Sequence, residues 1–285
     1  MIRVMLCFAL LFNVAHADPA AWHLVADDGK ELWLLGSVHY LSDRDYPLPA
    51  IVNDLYTQAN AIVLETDLDD IDAQQQQSTF LSAALLPSGK TLSDVLDGGT
   101  YRRAESHAIK LGIELTMLDK FEPWLIAITL TDLGMRQHGY RPELGIEQQL
   151  IAMARADGKE VHGLESLNSQ IAIFDTLSTA EQQSLLDQAL QELDSASIGM
   201  AELVDAWRDG ELERLHEALM TEFNDFPGLY DALITNRNMN WLASIDRFLE
   251  HGTRYLVVVG ALHLVGEHSV IELLEARGYT LTAID

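Results

Sequence analysis

The stretch YLVVVGALHLVG at residues 255–266 decides the fold, because it runs a block of aliphatic residues into the motif Gly-x-x-His. A shorter copy, LWLLGSVHYL at residues 32–41, contains the same motif near the other end of the chain. Uninterrupted apolar runs of this kind are typical of strands buried on both faces, as in parallel sheets. The two copies therefore predict one sheet to which both ends of the chain contribute.

Each copy belongs to a longer unit of strand, helix and strand. Residues 47–60 carry apolar positions at helical spacing, and AIVLE at 61–65 follows them as a buried strand. The C-terminal unit repeats this order, with Gly278 as the glycine that ends its helix. The stretch AWHLVADDGKELWLL adds an antiparallel hairpin around Asp-Asp-Gly-Lys. We predict an α/β (α+β) fold with a mixed central sheet built from N- and C-terminal βαβ-like units.

A large and mostly helical insertion, about 71–250, separates the two units. It includes an apolar helix after FEPW, a helix in GIEQQLIAMARADG and amphipathic helices beyond them. Ser178 and Glu181 have the spacing of a capping box at one helix start. VHGLE at 161–165 is predicted to be a further buried strand, and IELTML at 113–118 also has a strand-like composition.

The composition bounds the class of protein. The chain has 285 residues, of which 48% are hydrophobic, enough to bury the core of one α/β domain. No linker, low-complexity tract or tandem repeat divides it, so residues 18–285 are predicted to be a single domain. Its 18 basic and 44 acidic residues give a formal charge of −26, which repels phosphate backbones and argues against nucleic acid as a partner. The sequence leaves the oligomeric state open.

Residues 1–17, MIRVMLCFALLFNVAHA, have the features of a secretory signal peptide. Arg3 precedes a short apolar run, and AHA before Asp18 fits the small-x-small cleavage pattern. The run is shorter than the roughly 20 residues that span a bilayer, so no stable membrane anchor is expected. Cleavage also removes Cys7, which leaves the mature chain without cysteine ligands or disulfides. We therefore expect an exported protein.

Polar side chains stand at the ends of four predicted strands. LWLLGSVH ends in His39, AIVLE in Glu65, VHGLE in Glu165 and YLVVVGALH in His263. The carboxyl ends of parallel strands meet at the edge where α/β sheets bind ligands, so these side chains are expected to converge. The glycine before each histidine lets the backbone bend and aim the imidazole over the sheet. One Gly-x-x-His is commonly structural, whereas two of them with two carboxylates indicate a site.

This set of donor atoms suits a divalent transition metal. Two imidazoles and a carboxylate form an open site for zinc, manganese or iron(II). His39 and His263 would be ligands, with Glu65 as third ligand or general base. Glu165 would be a further ligand or would support the others. A bound ion would acidify its water and polarise a peptide carbonyl.

A predicted helix in YDALITNRNMNWLASI supplies two more candidates. Arg237 could stabilise an oxyanion, and Asn238 could orient a substrate. The structural alternative is an ordinary salt bridge. Leu233, Met239 and Trp241 are expected on the buried face of this helix.

Motifs along nearly the whole mature chain resemble the TraB/PrgY/GumN family, to which the animal Tiki Wnt-cleaving proteases belong. In order they are LLGSVH, IVLETD, EPW, GIEQQL with GKEVHGLES, NRNMNW and VVVGALHLVG. The resemblance implies a fold similar to erythromycin esterase and the haem-binding ChaN proteins. Together with the short signal it favours the periplasm of a Gram-negative bacterium, with secretion outside the cell as the alternative. Similarity to the Tiki branch implies a metal-dependent protease whose activity is supported by manganese or cobalt.

The resemblance also assigns residues. It makes His39 and His263 the two motif histidines, Glu65 the acidic residue after the first unit, and Arg237 with Asn238 the RN pair. Glu147 departs from the pattern, since many relatives have Asp after GI, and this leaves the role of its carboxylate open.

The resulting expectation is an exported, metal-dependent hydrolase that cleaves peptide bonds in a peptide or protein substrate, with manganese, cobalt or zinc as cofactor. One alternative is a metal-free hydrolase of the erythromycin esterase type, with His39 as base and Glu65 orienting it. The other alternative is a binding module in which the same histidines hold haem or a metal without turnover.

Overall fold

The computed structural model describes residues 19–66, 73–193, 196–223 and 227–284. The predicted signal peptide lies outside these residues. A six-stranded sheet forms the centre of the described chain. Its strands are β1 Ala21–Val25, β2 Glu31–Ser37, β3 Ala61–Thr66, β4 Glu160–Glu165, β5 Tyr255–Gly260 and β6 Thr280–Ala283.

The strands are ordered β4-β3-β5-β2-β1-β6. The first four of these run parallel, whereas β1 is antiparallel to both β2 and β6. The two Gly-x-x-His strands are direct neighbours, with Leu32 opposite Tyr255 and Ser37 opposite Gly260. The predicted α/β fold with a mixed sheet from both chain ends is therefore confirmed.

Helices cover both faces of this sheet, which explains why β2 and β5 are apolar on both sides. Leu35 and Val258 pack in a core cluster with residues of the helices Ala50–Gln58 and Ile146–Asp157. Leu34 and Val257 pack in a second cluster, with residues of the helices Asn236–His251 and Val270–Ala276. All four side chains have no exposed area. Each such burial stabilises the fold by about 1.5–3 kcal/mol.

Most of the remaining described chain is helical. The helices are α1 Ala50–Gln58, α2 Ala73–Ala83, α3 Leu92–Val95, α4 Gly98–Lys110, α5 Pro123–Gln137, α6 Ile146–Asp157, α7 Leu167–Asp175, α8 Thr179–Leu193, α9 Ala196–Arg208, α10 Leu212–Phe223, α11 Pro227–Tyr230, α12 Asn236–His251 and α13 Val270–Ala276. A π-helical turn, Asp231–Thr235, leads into α12, and a 3₁₀ turn, Ala261–Leu264, follows β5. In its described residues, the inserted stretch contributes one strand, β4, at the edge of the sheet.

Local predictions were confirmed in part. The capping box before α8 forms, because the Ser178 N–H donates to the Glu181 carboxylate at 2.7 Å. The strand predicted at 113–118 was wrong, since Leu115–Leu118 is a 3₁₀ turn that buries Leu115 and leaves Met117 74% exposed. Met239, predicted to be buried, is 48% exposed because Asn238 and Trp241 take the inward face of α12. Within the described ranges, no helix is both long and apolar enough to cross a membrane.

Candidate active site

The carboxyl ends of the four parallel strands bring the predicted site residues to one edge of the sheet. Because β2 pairs with β5, β5 with β3 and β3 with β4, the strand ends at Ser37, Gly260, Thr66 and Glu165 stand side by side. We call the polar side chains gathered there the rim cluster. Its members are His39, Glu65, Glu147, Glu165, Arg237, Asn238 and His263.

Gly260 marks the point where three members of the rim cluster converge. A Cβ built on this glycine would lie 3.3 Å from Glu65 Oε1, 3.6 Å from His39 Nε2 and 3.6 Å from His263 Cδ2. Its N–H donates to Glu65 Oε1 at 2.8 Å. Any side chain here would enter the space between the imidazoles, so the glycine keeps that space open.

Gly36, the equivalent residue of the first motif, has a different task. A Cβ built there would lie 3.1 Å from the Cβ of Ala20 and 3.2 Å from Cα and Cβ of Ala261. The glycine therefore permits tight packing between the start of β1 and the turn after β5. Its carbonyl also accepts a bond from the indole N–H of Trp207 at 2.8 Å.

His39 lies at the mouth of the site with its ring fixed by a carboxylate. Its Nδ1 is 2.8 Å from Glu147 Oε1, and the Ser37 hydroxyl donates to the same oxygen. The His39 side chain is 58% exposed, whereas Glu147 is only 16% exposed. The attraction of Glu147 raises the pKa of His39 to about 9.

Glu147 reaches His39 because α6 begins unusually close to it. A Cβ built on Gly145, the residue before this helix, would lie 2.1 Å from the His39 carbonyl oxygen. Glycine removes that clash, so the first turn of α6 carries Glu147 onto the ring. The Glu147 side chain, directly after the Gly-Ile pair, thus contacts His39.

His263 is buried and is held by neutral and cationic partners instead. Its side chain is 4% exposed, its Nδ1 is 2.6 Å from Asn238 Oδ1, and its Nε2 is 3.2 Å from Nη1 of Arg237. Burial lowers the pKa of His263 to about 3, so the imidazole is neutral at neutral pH. Because Arg237 can only donate, Nε2 is the acceptor and Nδ1 carries the proton toward Asn238.

Asn238 is placed to fix this tautomer. It is fully buried, and its Nδ2 donates to the His268 carbonyl at 2.9 Å, which leaves Oδ1 facing His263. His268 has a positive φ of 58° just before α13, and this turn presents its carbonyl to Asn238. Both polar atoms of the Asn238 side chain are therefore bonded within the protein, one to His263 and one to the His268 carbonyl.

Arg237 organises the carboxylates of the rim cluster. Its Nη2 lies 2.5 Å from Glu65 Oε2 and 2.6 Å from Glu165 Oε1, and its Nε donates to Glu165 at 3.0 Å. Its Nη1 donates to the Leu233 carbonyl at 3.1 Å besides meeting His263. Every nitrogen of the guanidinium is engaged, so Arg237 holds its neighbours in place and has no donor directed at a substrate.

Trp241 contacts three members of the rim cluster. Its indole N–H donates to Glu165 Oε2 at 3.1 Å, and Arg237 lies 4.6 Å over its ring. The ring centroids of Trp241 and His263 are 4.4 Å apart. Buried charges are stable only when paired and hydrogen-bonded, and this wall of α12 supplies those partners.

Glu65 is ionised in these surroundings. Burial by itself would raise its pKa, but the attraction of His263 when that ring is charged, of Arg237 and of His39 together hold the pKa of Glu65 below its ordinary value. Its Oε1, bonded to the Gly260 N–H, is 3.7 Å from His263 Nε2. A fixed carboxylate thus faces the imidazoles at the centre of the cluster.

A cavity of about 210 Å³ opens beside His39 and Glu65. Thr66, Glu147 and Gln170 also line it. Gln170 Oε1 accepts a bond from the Thr66 hydroxyl at 2.9 Å, and its Nε2 lies 3.5 Å from Glu65 Oε2. The cavity is large enough for several waters or a short segment of substrate, and most of its lining residues are polar.

The model of the TraB/PrgY/gumN family matches residues 21–283. The chain belongs to this family. It is 27% identical over 272 residues to YbaP of Escherichia coli (strain K12), covering 95% of this chain and 98% of that protein. YbaP of Shigella flexneri is 28% identical with the same coverage, and both relatives carry the description uncharacterized. No solved structure matches the chain. The resemblance stated from the motifs is confirmed.

The residues predicted as metal ligands do not fit a metal ion as they are arranged. His39 and His263 each have Nδ1 held by an oxygen, as ligating histidines often do. However, Arg237 occupies the lone pair of His263 Nε2 and binds Glu65, and Glu165 faces Arg237. In the described ranges, no three His, Cys, Asp or Glu side chains form a group that could hold an ion. The metal site remains a prediction.

Sequence reasoning missed three participants. Ser37, Gln170 and Trp241 contact Glu147, Glu65 and Glu165 respectively. Ser37 and Gln170 had a usable signal, because each lies at or soon after the end of a predicted strand. Trp241 was read as a core residue, and nothing in its sequence position indicated the bond from its indole N–H.

Proposed function

We propose that this TraB-family protein is a hydrolase that cleaves peptide bonds with His39 as general base and without a metal ion. The observation that carries the proposal is the position of His39 Nε2. It lies 3.6 Å from a Cβ built on Gly260, and Glu65 Oε1 lies 3.3 Å from the same point, while Glu147 holds the other ring nitrogen. A histidine oriented by a carboxylate, with its second nitrogen free at a cavity, is suited to proton transfer.

The chemistry follows from this geometry. A water between His39 and Glu65 gives a proton to His39 Nε2 as its oxygen attacks the peptide carbonyl carbon. The carbonyl π electrons move to the oxygen, for which the Nε2 amide of Gln170 is a donor at the cavity wall. When this intermediate collapses, the C–N bond breaks and the leaving nitrogen takes the proton from His39.

The buried residues of the rim cluster hold the reacting groups in place in this proposal and do not themselves transfer protons. Arg237 keeps Glu65 ionised and immobile, and the neutral His263 bounds the water site without adding a charge. Asn238 fixes His263 in turn. In this proposal Arg237 and Asn238 are positioning residues, whereas His39 and Glu65 act on water.

The raised pKa of His39 sets the pH dependence. The ring must be neutral to accept a proton, and with a pKa of about 9 only a minor fraction is neutral at pH 7. Activity should therefore rise about tenfold per pH unit until the pKa is reached.

A peptide library tests the proposal. Chelator-treated wild-type protein should cleave library members, and His39→Ala should lose that activity. His162→Ala is the matched control, because this histidine lies on β4 with a 32% exposed side chain paired to Glu160. Equal cleavage by wild type and His39→Ala, or cleavage by neither, would contradict the proposal.

One observation favours a second candidate, the metal-dependent hydrolase. His39 Nε2 and Glu65 Oε1 both lie within 3.6 Å of a Cβ built on Gly260, and so does Cδ2 of His263. Element-resolved metal analysis of wild type, His39→Ala and His263→Ala decides this case. Stoichiometric manganese, cobalt or zinc that both variants lose, with activity that follows the metal, would replace the metal-free proposal. A Soret band that haem addition creates and both variants abolish would instead support a binding module.

A further inference from the structure

A second cavity adjoins the rim cluster. It has a volume of about 100 Å³ and an almost wholly apolar lining. Its apolar walls are Phe80 of α2, Leu167, Ile171, Ile173 and Phe174 of α7, and Leu233 of the π-helical turn. We call it the side-chain cavity.

Two polar residues connect the side-chain cavity to the proposed reaction centre. Gln170 lines both this cavity and the one beside His39. Arg237, which binds Glu65, forms part of the wall as well. A group that enters the side-chain cavity therefore lies next to the Gln170 amide, the donor proposed for the reacting carbonyl.

The motif Glu122-Pro123-Trp124 gives this cavity a rigid base, and the mechanism leaves that motif unexplained. Trp124 is fully buried, and its indole N–H donates to the Glu122 carboxylate at 3.1 Å. Gln182 Nε2 donates to the same oxygen at 2.8 Å. With Pro123 at the first position of α5, the indole is fixed relative to the helix start.

Trp124 in turn holds two walls of the side-chain cavity. Phe80 meets its ring edge-on with centroids 5.1 Å apart, and Phe174 stacks on it at 5.6 Å with an interplanar angle of 19°. Aromatic pairs of these geometries are favourable beyond their buried area. Two walls of the cavity, Phe80 and Phe174, are therefore held in place by their contacts with Trp124.

We propose that the side-chain cavity receives the aliphatic side chain of the substrate residue that carries the scissile carbonyl. The inference rests on the proposed peptide hydrolysis and names its substrate class: peptides with a branched aliphatic residue before the cleaved bond. A cavity of about 150 Å³ holds benzene. One of about 100 Å³ thus fits a leucine or valine side chain better than an aromatic ring.

The test compares three peptides that differ only in having Ala, Leu or Phe before the cleaved bond. Wild type should prefer Leu over Ala by about tenfold or more in kcat/KM, since each methylene in an apolar pocket gives a comparable discrimination. Leu167→Phe fills the cavity and should reduce that preference about tenfold. Phe174→Ala enlarges it and should raise cleavage of the Phe peptide relative to the Leu peptide.

Ala172→Leu is the matched control, because this residue is exposed on the same helix and does not line the cavity. Its preferences should equal those of wild type. Cleavage with the same preferences in wild type, Leu167→Phe and Phe174→Ala would overturn the side-chain cavity and leave the hydrolase intact. No cleavage of any peptide by wild type would overturn the hydrolase, and this inference with it. Circular dichroism of each variant confirms that it is folded.

Discussion

The two Gly-x-x-His motifs follow neighbouring parallel strands, β2 and β5, and lie at the same edge of the sheet, yet their histidines differ in protonation. His39 is 58% exposed beside Glu147, and that carboxylate raises its pKa to about 9. His263 is 4% exposed against Asn238 and Arg237, and burial lowers its pKa to about 3. The strand places each imidazole, whereas a helix from the insertion decides its protonation. At neutral pH the imidazole of the first motif is thus mostly protonated, whereas that of the second is neutral.

Replacing the histidine of each motif in turn tests the difference between them and should have the largest effect on activity. His39→Ala should lower kcat by about 10²- to 10⁴-fold, the usual contribution of a general base. The free energy of unfolding should fall less in His39→Ala than in His263→Ala, because the ring of His39 is mostly exposed and the Ser37 hydroxyl still donates to Glu147 when the ring is gone. His263→Ala leaves Asn238 Oδ1 buried without a donor. Peptide cleavage and urea denaturation of both variants give the two readouts, and the reverse assignment would contradict the comparison.

Removing the charge between the motifs should give the largest loss of stability. Arg237→Met leaves Glu65 and Glu165 buried without their cation, which typically costs about 3–5 kcal/mol. Arg136→Met is the control, because its partners Asp132 and Glu143 are solvent-accessible and such pairs are worth about 0–1 kcal/mol. Urea denaturation at pH 7 measures both. Equal losses would show that Arg237 does not organise the carboxylates.

A third substitution gives His263 a carboxylate partner like the one that His39 has. Because His263 is neutral when folded and its pKa lies below the ordinary 6.5, the folded state binds fewer protons than the unfolded state at acid pH. Stability from this residue is present above pH 6.5 and is lost as pH falls toward 3. Asn238→Asp supplies a carboxylate, which should raise the pKa of His263 by about 1–3 units. The variant should then lose less stability than wild type between pH 6.5 and 4 in urea denaturation. The same pH dependence in both proteins would contradict the assigned role of Asn238.

The smallest effect is expected from removing the charge beside His39 in the first motif. Glu147→Gln keeps an acceptor for His39 Nδ1 and removes the charge, so the pKa of His39 should fall from about 9 toward 6.5. Since the neutral ring is the base, the rising limb of the pH–rate profile should move to lower pH by about 1–2 units. An unshifted limb would mean that His39 is not the group that titrates in catalysis.

The sheet was predictable from sequence because its strands are apolar on both faces and few other structures accept such runs. The convergence of His39, Glu65, Glu165 and His263 followed from the shared direction of parallel strands. The partners did not follow, since Glu147 and Asn238 come from helices more than 20 residues away in sequence from the histidines they contact. Their approach depends on Gly145 and on the turn at His268, which periodicity does not reveal. Met239 was misplaced for a related reason: Asn238 took a buried position that hydropathy assigns to an apolar residue.

The most direct test of the central claim is an NMR titration of the imidazoles of the folded protein, with resonances assigned from His39→Ala and His263→Ala. The account predicts that His39 titrates near pH 9 and that His263 stays neutral down to about pH 4 with its proton on Nδ1. Two histidines that both titrate near pH 6.5 would contradict it, because the motifs would then be equivalent and His39 would have no special role as base.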